Sequence, residues 1–180
     1  MSPAAPAGVI VVVGPPGAGK TTVGELLAEQ LGVAFRDVDA DIVERAGKPI
    51  SDIFTDDGEP EFRRIEREAV ARALAEHDGV LALGGGAVLA EDTRKLLAEH
   101  TVVFLNVGMA EGVRRTGLST ARPLLAGVSP RATFKALLDA RLPLYREVAT
   151  VEIDTDKHEP PGIVEAVVAA LAHKVDNEGK

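Results

Sequence analysis

Short apolar runs alternate along this chain with longer segments whose apolar residues recur at helical spacing. The short runs predict strands over residues 9–13, 80–83, 101–107 and 151–154, with a brief extended segment over 33–36. Helical spacing predicts helices over residues 21–31, 59–76, 91–99 and 131–146, one that begins at 111–115, and a last one opened by Pro160 and Pro161. Such alternation is typical of the α/β class. We predict a three-layer α/β/α sandwich around a central parallel sheet of about five strands.

The length and composition of the chain are those of one ordinary globular domain. Its 180 residues are 46% hydrophobic and 27% charged, which suits a soluble domain with a sizeable core. Neither an internal repeat nor a long linker interrupts the pattern. We therefore predict a single domain over residues 1–180, with a core at about 9–172 and an aperiodic loop at 117–130.

The chain is acidic and has no cysteine. A net charge of −8 argues against a nucleic-acid or anionic-membrane partner. The absence of cysteine excludes disulfides, thiolate zinc sites and thiol nucleophiles. Residues 1–8 carry no basic side chain, and the apolar run at 9–13 is too short for a signal peptide or a membrane span. We expect a cytoplasmic protein.

A phosphate-binding motif follows the first predicted strand. The motif G-x-x-x-x-G-K-[ST] is matched by Gly14, Pro15, Pro16, Gly17, Ala18, Gly19, Lys20 and Thr21, and Thr22 continues it into the helix. Glycines let backbone N–H groups turn toward phosphates, and the following helix offers the positive end of its dipole. Lys20 is expected to reach the β- and γ-phosphates, and the Thr21 hydroxyl to ligate Mg²⁺. A dinucleotide fingerprint starting at Gly17 fails, because its third glycine would fall at Thr22.

Three aspartates alternate after the extended segment. Asp37, Asp39 and Asp41 do not form a calcium loop, since that loop would require glycine at Ile42 and glutamate at Lys48. One of the three can cap a helix. Alternatively, one carboxylate can position Mg²⁺ through water while another takes the proton of an acceptor hydroxyl. Spacing alone leaves both interpretations open.

Arginines occur in three contexts. Arg63 lies in a helix rich in glutamate, where i,i+4 ion pairs on a solvated face are the ordinary interpretation. Arg122 precedes Pro123 in the 117–130 loop, which suits either a plain surface loop or a lid that closes over phosphate. Arg141 would ordinarily be taken as a surface arginine on a helix.

Taken in order, these motifs resemble those of the shikimate kinase family over nearly the whole chain, from about Val9 to Leu171. The specific matches are the aspartate pair at 37 and 39, the run G-E-x-x-F-R-x-x-E at 58–66, L-G-G-G at 83–86, R-P-L-L at 122–125 and R-x-P-L-Y at 141–145. The resemblance implies a P-loop kinase fold with a mobile lid at about 117–130. It also implies a substrate-binding helical region at about 37–66 and phosphorylation of the 3-hydroxyl of shikimate by ATP and Mg²⁺.

The same resemblance implies residue roles. The implied catalytic residues are Lys20, Asp39 and Arg122. The implied Mg²⁺ ligands are Thr21 and, through water, Asp37. ATP contacts fall to residues 14–22, Arg115 and Arg122. The implied shikimate contacts are Asp39, Phe62, Arg63, Gly84, Gly85, Gly86, Pro123, Leu124 and Arg141. Two arginines converging on one small anion agree with the planar, multi-donor recognition that guanidinium groups give.

One departure and several alternatives accompany the resemblance. Lys157, His158 and Glu159 stand where members of this family often carry an arginine beside the adenine. Gluconate kinase, a nucleoside-monophosphate kinase and a nucleotide-binding module without turnover are the alternative functions. The expected partners are the small molecules ATP and shikimate, with no nucleic acid and no membrane, and the expected state is a monomer.

Overall fold

Five parallel strands form one sheet at the centre of the molecule. The computed structural model describes residues 8–116, 130–156 and 158–178. The strands are β1 (Ile10–Val13), β2 (Ala34–Asp37), β3 (Gly79–Ala82), β4 (Thr101–Asn106) and β5 (Val151–Asp154). Their order across the sheet is β2-β3-β1-β4-β5, and every neighbouring pair is parallel. All five predicted extended segments are confirmed to within a residue at either end.

Helices connect the strands and extend the chain beyond the last one. They are α1 (Lys20–Leu31), α2 (Val38–Ala46), α3 (Ile50–Asp57), α4 (Glu59–Glu76), α5 (Glu91–Leu97), α6 (Met109–Thr116), α7 (Pro130–Val148) and α8 (Pro160–Glu178). A short 3₁₀ helix spans Ala87–Leu89. The predicted bounds of α4 are confirmed, whereas α7 begins at Pro130, the last residue of the predicted loop. The bounds of α2 and α3 did not emerge from the periodicity.

Side chains of the buried strands alternate between two apolar cores. Val11 and Val13 pack on one face with Phe104 and Tyr145. Ile10 and Val12 pack on the other face, where α1 and α8 contribute much of the core. Because both faces are covered, β1, β3 and most of β4 are continuously buried, as parallel strands in this class are. The predicted α/β/α sandwich with a five-stranded parallel sheet is confirmed.

The carboxyl ends of the central strands bring the candidate residues together. β1 ends at the phosphate loop, and its neighbour β3 ends at the triple glycine. β2 ends at Asp37, which caps α2 by accepting a hydrogen bond from the backbone N–H of Asp39. Ligands bind at this edge in open α/β sheets. Along the described ranges, no helix is both long enough and apolar enough to cross a membrane.

Candidate active site

The phosphate loop is held by its own lysine. Gly17 and Gly19 adopt φ angles of 85° and 84°, a region that favours glycine, so the loop turns tightly before α1 begins. The Nζ atom of Lys20 donates to the carbonyls of Gly14, at 2.8 Å, and Pro15, at 3.1 Å. The ammonium group therefore arches back over the loop. Incoming phosphate oxygens can replace these carbonyls as acceptors.

Thr21 and Asp37 form an oxygen-rich pair beside the loop. The Thr21 hydroxyl donates to Oδ2 of Asp37 at 3.1 Å, while Oδ1 accepts from the Asp39 N–H at 2.9 Å. Burial raises the pKa of Asp37, and the negative charge of Asp39 adds to that shift. Hydroxyl and carboxylate oxygens are ligands that Mg²⁺ accepts, so this pair fits the ion. Among the described residues no cluster of three or more acidic or histidine side chains forms a metal site.

The triple glycine gives three side chains room to approach the backbone. A Cβ on Gly84 would lie 2.7 Å from Oδ1 of Asp39, and one on Gly86 would collide with the Arg63 guanidinium. A Cβ on Gly85 would lie 3.5 Å from Nη1 of Arg141 and 3.1 Å from Cδ of Pro16. The structure thus gathers Asp39, both arginines and the phosphate loop around this glycine segment.

Arg63 is fixed by the side chains around it. Its guanidinium lies 5.1 Å from the ring centroid of Phe62 and donates to Oε1 of Glu66 at 2.8 Å. Phe62 is buried and its ring packs 4.7 Å from that of Phe54. Phe62 thus belongs to the core beneath the Arg63 guanidinium, and its predicted contact with the substrate stays a prediction. The Nε atom of Arg63 is buried and, within the described part of the chain, has no hydrogen-bond partner.

Arg141 is a buried cation. It is only 6% exposed, so the ordinary interpretation of a surface arginine is wrong. Burial lowers the pKa of Arg141, and the positive charge of Arg63 adds to the lowering. No ion pair joins Arg141 to an acidic side chain in the ranges that the structure describes. Buried charges are normally paired, so this guanidinium is well placed to receive an anion.

Two residues of the site were not assigned a role from the sequence. Glu66 is 3% exposed, and burial raises its pKa while Arg63 acts to lower it. Its position three residues after Arg63 on a helix was the available signal. The hydroxyl of Tyr145, buried on α7, donates to the Gly85 carbonyl at 2.5 Å. Tyr145 lies four positions after Arg141, which puts both on one face of that helix.

A cavity of about 550 Å³ opens next to the phosphate loop. Thr22 lines it together with residues from the loop, α6 and the segment after β5, namely Ala18, Gly19, Val23, Glu111, Arg114, Asp156, His158, Glu159, Pro160 and Ile163. A cavity of this volume accommodates a nucleoside. Arg114 of α6 lines the cavity. The side chain of Arg115, which was predicted to contact ATP, lies outside what the structure describes, as do Arg122, Pro123, Leu124 and Lys157.

Comparison with known proteins gives one consistent family. The model of the family described as shikimate kinase matches residues 16–172. The shikimate kinase of Saccharopolyspora erythraea is 74% identical over 168 residues, which cover 93% of each chain. That of Salinispora arenicola is 60% identical over 164 residues, covering 91% of this chain and 98% of its own. A solved structure of shikimate kinase from Acinetobacter baumannii in complex with shikimate superposes with a TM-score of 0.90 at 36% identity, covering 93% of this chain and 94% of that one.

Proposed function

This chain belongs to the shikimate kinase family, and we propose that it transfers the γ-phosphoryl group of ATP to the 3-hydroxyl of shikimate. The products are shikimate 3-phosphate and ADP, in the pathway that leads to chorismate and the aromatic amino acids. The observation that carries this proposal for the site is the buried charge of Arg141, which lies beside the triple glycine and forms no ion pair with an acidic side chain among the described residues. A small carboxylate is the anion that a guanidinium in such a position recognises best.

The donor half of the site comprises residues 14–22. Backbone N–H groups of the loop and the start of α1 hold the phosphates. On nucleotide binding, Lys20 exchanges the carbonyls of Gly14 and Pro15 for phosphate oxygens, so its charge meets the charge that develops on the transferred group. The nucleoside occupies the 550 Å³ cavity, with Thr22 in its wall. Arg115 is assigned to the adenine side by the family resemblance alone.

Mg²⁺ fits the Thr21–Asp37 pair. The Thr21 hydroxyl would hold the ion directly, and Asp37 would hold it through water; the ion would supply charge neutralisation to the phosphates. Because the 3.1 Å bond to Asp37 orients the threonine hydroxyl, the carboxylate also acts by aiming that ligand.

The acceptor half binds shikimate through the glycine segment and its surrounding side chains. Arg63 and Arg141 hold the carboxylate, and glycine at 84–86 lets the ring approach the backbone. Asp39 binds the 3-hydroxyl and accepts its proton as the oxygen attacks the γ-phosphorus. Arg122, with Pro123 and Leu124, belongs to a lid at about 117–130 that closes over the phosphates; this assignment rests on the resemblance.

The domain organisation and state of assembly complete the proposal. Residues 1–180 form one kinase domain, whose region at about 37–66 binds the acceptor. The enzyme is a cytoplasmic monomer. In the described ranges the exposed large apolar side chains are Val43, Leu89 and Leu96, each between 38% and 42% exposed, and no extended apolar surface of the kind that obligate dimers bury is apparent among them. Light scattering coupled to size-exclusion chromatography tests the monomer.

An acceptor panel tests the proposed function against its alternatives. ADP formation is measured with ATP and Mg²⁺ alone and then with shikimate, gluconate, AMP and CMP in turn. Shikimate is expected to give the largest kcat/KM, and Lys20→Ala is expected to lose turnover by a factor of about 100 or more. Stimulation by gluconate or a nucleotide instead would assign another kinase activity. A chain that binds ATP and responds to no acceptor would be a binding module.

A further inference from the structure

Arg94, on α5, contacts the segment that continues from the triple glycine. Its Nη1 atom donates to the carbonyls of Val88, at 2.8 Å, and Leu89, at 3.1 Å. Its Nε atom donates to Oε2 of Glu147 at 2.8 Å. Glu147 belongs to α7, the helix that also carries Arg141. One guanidinium therefore joins the segment after the glycines to the helix that bears the buried arginine of the acceptor site.

Residues 84–89 form a hydrogen-bonded unit, so a restraint at one end acts on the other. The Ala87 N–H donates to the Gly84 carbonyl and the Leu89 N–H to the Gly86 carbonyl, both at 3.1 Å. A run of glycines has more conformational freedom than other sequences and needs external restraint to keep one conformation. Tyr145 supplies one restraint, at the Gly85 carbonyl. Arg94 supplies the second, at the opposite end of the unit.

Tyr145 ties the segment directly to α7, and Arg94 ties it to α5, which packs against α7. Together the two contacts fix the spacing between the glycine segment and Arg141. That spacing is small, since a Cβ on Gly85 would lie 3.5 Å from Nη1 of Arg141. We propose that Arg94 is a positioning residue for the acceptor site, which holds residues 84–89 at the separation from α7 that shikimate requires. The inference rests on the proposed function, because the acceptor is taken to be shikimate.

The ion pair of Arg94 and its hydrogen bonds to the two carbonyls differ in strength. The side chain of Arg94 is 17% exposed and that of Glu147 is 56% exposed, and ion pairs with an exposed partner contribute little. The two carbonyl bonds are made by a mostly buried, charged donor, which makes them the stronger contacts. Loss of the hydrogen bonds to the two carbonyls should therefore weaken acceptor binding more than loss of the ion pair.

Arg94→Met tests this directly, because methionine keeps much of the apolar stem and none of the donors. We expect the Kd for shikimate, measured calorimetrically on the nucleotide-free protein, and the KM for shikimate to rise by about tenfold. The Kd for ADP and the KM for ATP should change by less than about twofold, because the phosphate loop is held by Lys20. Glu147→Gln leaves the hydrogen bonds from Arg94 to the two carbonyls in place. It should therefore change the Kd and KM values for both substrates by less than about twofold.

Arg146→Met is the matched control. Arg146 lies on α7 next to Glu147. Like Arg94 it forms an ion pair, with Oε1 of Glu152 at 3.0 Å, but its hydrogen bonds lead away from the glycine segment. We expect the Kd and KM values of Arg146→Met for both substrates to match those of the parent. Equal increases in the shikimate and ADP constants for Arg94→Met, or no increase in a folded variant, would overturn the positioning role.

A spectroscopic measurement detects the movement of the segment without turnover. Tyr145 is the one tyrosine of a chain that has no tryptophan, and its hydroxyl bonds to the Gly85 carbonyl. Tyrosine emission should therefore change in Arg94→Met and stay at the parent value in Arg146→Met. If Arg94→Met does not fold, Arg94→Lys, with one ammonium in place of the guanidinium, should show the same selective loss at about threefold; equal loss for both substrates would overturn the inference.

The outcome for the parent protein separates this inference from the proposed function. If the parent phosphorylates shikimate and Arg94→Met behaves like Arg146→Met, the proposed function holds and the positioning role of Arg94 is overturned. If the parent uses gluconate instead and the KM for gluconate rises selectively in Arg94→Met, the positioning role holds and the assignment of shikimate as the acceptor is overturned. A parent that binds no acceptor overturns both.

Discussion

Thr21 donates its hydroxyl hydrogen to Asp37 across 16 positions of sequence, with Oγ1 3.1 Å from Oδ2. The contact joins the first turn of α1, which directly follows the phosphate loop, to the end of β2. It brings the predicted Mg²⁺ ligand and the predicted water-mediated ligand into direct contact. The fold therefore places the two predicted ligands side by side.

Asp37→Asn should lower the apparent affinity for Mg²⁺ more than the apparent affinity for shikimate. Asparagine keeps the size of the side chain and loses the charge that attracts the ion and orients the threonine hydroxyl. We expect the Mg²⁺ concentration for half-maximal rate to rise by about tenfold, as when other outer-shell ligand partners are removed. Steady-state rates across a Mg²⁺ titration, at fixed ATP and shikimate, provide the measurement. An unchanged titration would contradict this role of Asp37.

Arg141→Lys should damage acceptor binding selectively. Lysine keeps the positive charge but cannot present two parallel donors to a carboxylate. The KM for shikimate should rise by about tenfold or more, the scale of one lost charge-assisted hydrogen bond, while the Kd for ADP stays near the parent value. Arg146→Lys, an exposed position on the same helix, serves as the control. Equal weakening of both ligands would show that Arg141 is not part of a carboxylate site.

Gly86→Ala should disturb Arg63 without unfolding the protein. Gly86 has φ −98° and ψ 4°, which any residue adopts, so the added methyl strains no backbone and instead displaces the Arg63 guanidinium. We expect the KM for shikimate to rise by about tenfold, because displacing a positioned group is costly, with a Tm within a few degrees of the parent. Gly162→Ala adds the same methyl where the nearest atom is 3.5 Å away. A rise of the same size in both variants would contradict the account.

The raised pKa of Glu66 predicts a pH-dependent contribution to stability. Burial is the main cause of the shift, and Arg63 opposes it. A carboxyl group with a folded-state pKa above its unfolded value, about 4.3 for glutamate, binds more protons in the folded state. The parent therefore loses unfolding free energy as the pH rises from about 4 through the folded-state pKa.

Glu66→Gln lacks that titration. The unfolding free energy of the parent minus that of the variant should fall as the pH rises through this window. Denaturant titrations at a series of pH values measure the difference. A difference that grows with pH would mean that the Arg63 charge outweighs burial at this site.

Much of the fold could be predicted because burial imposes simple patterns. The continuously apolar strands and the 59–76 helix show the two periods clearly, and the glycines at 32 and 58 coincide with helix ends. The two short helices after Asp37 were foreseen only as a helical region. They have only 9 and 8 residues, about two turns each, so their apolar spacing repeats too few times to identify a helix.

The site was predictable in part. A contiguous motif defines the phosphate loop because backbone geometry requires its glycines and chemistry requires its lysine. Arg141 could not be recognised as buried from the sequence alone, since its burial depends on packing against elements distant in the chain. The spacing of Glu66 from Arg63 is visible in the sequence, but the burial of Glu66 depends on tertiary packing. Arg94 was missed because its contact with Glu147, 53 positions away, exists only in the folded protein.

The position of the phosphate on the product shows whether the protein phosphorylates the 3-hydroxyl of shikimate. Shikimate, ATP and Mg²⁺ are incubated with the protein, and the product is examined by proton–phosphorus correlation NMR while ADP is quantified. We expect one phosphomonoester, whose phosphorus couples to the proton on carbon 3, formed in equal amount to ADP. ADP without an ester, or an ester on another hydroxyl, would contradict the proposed function.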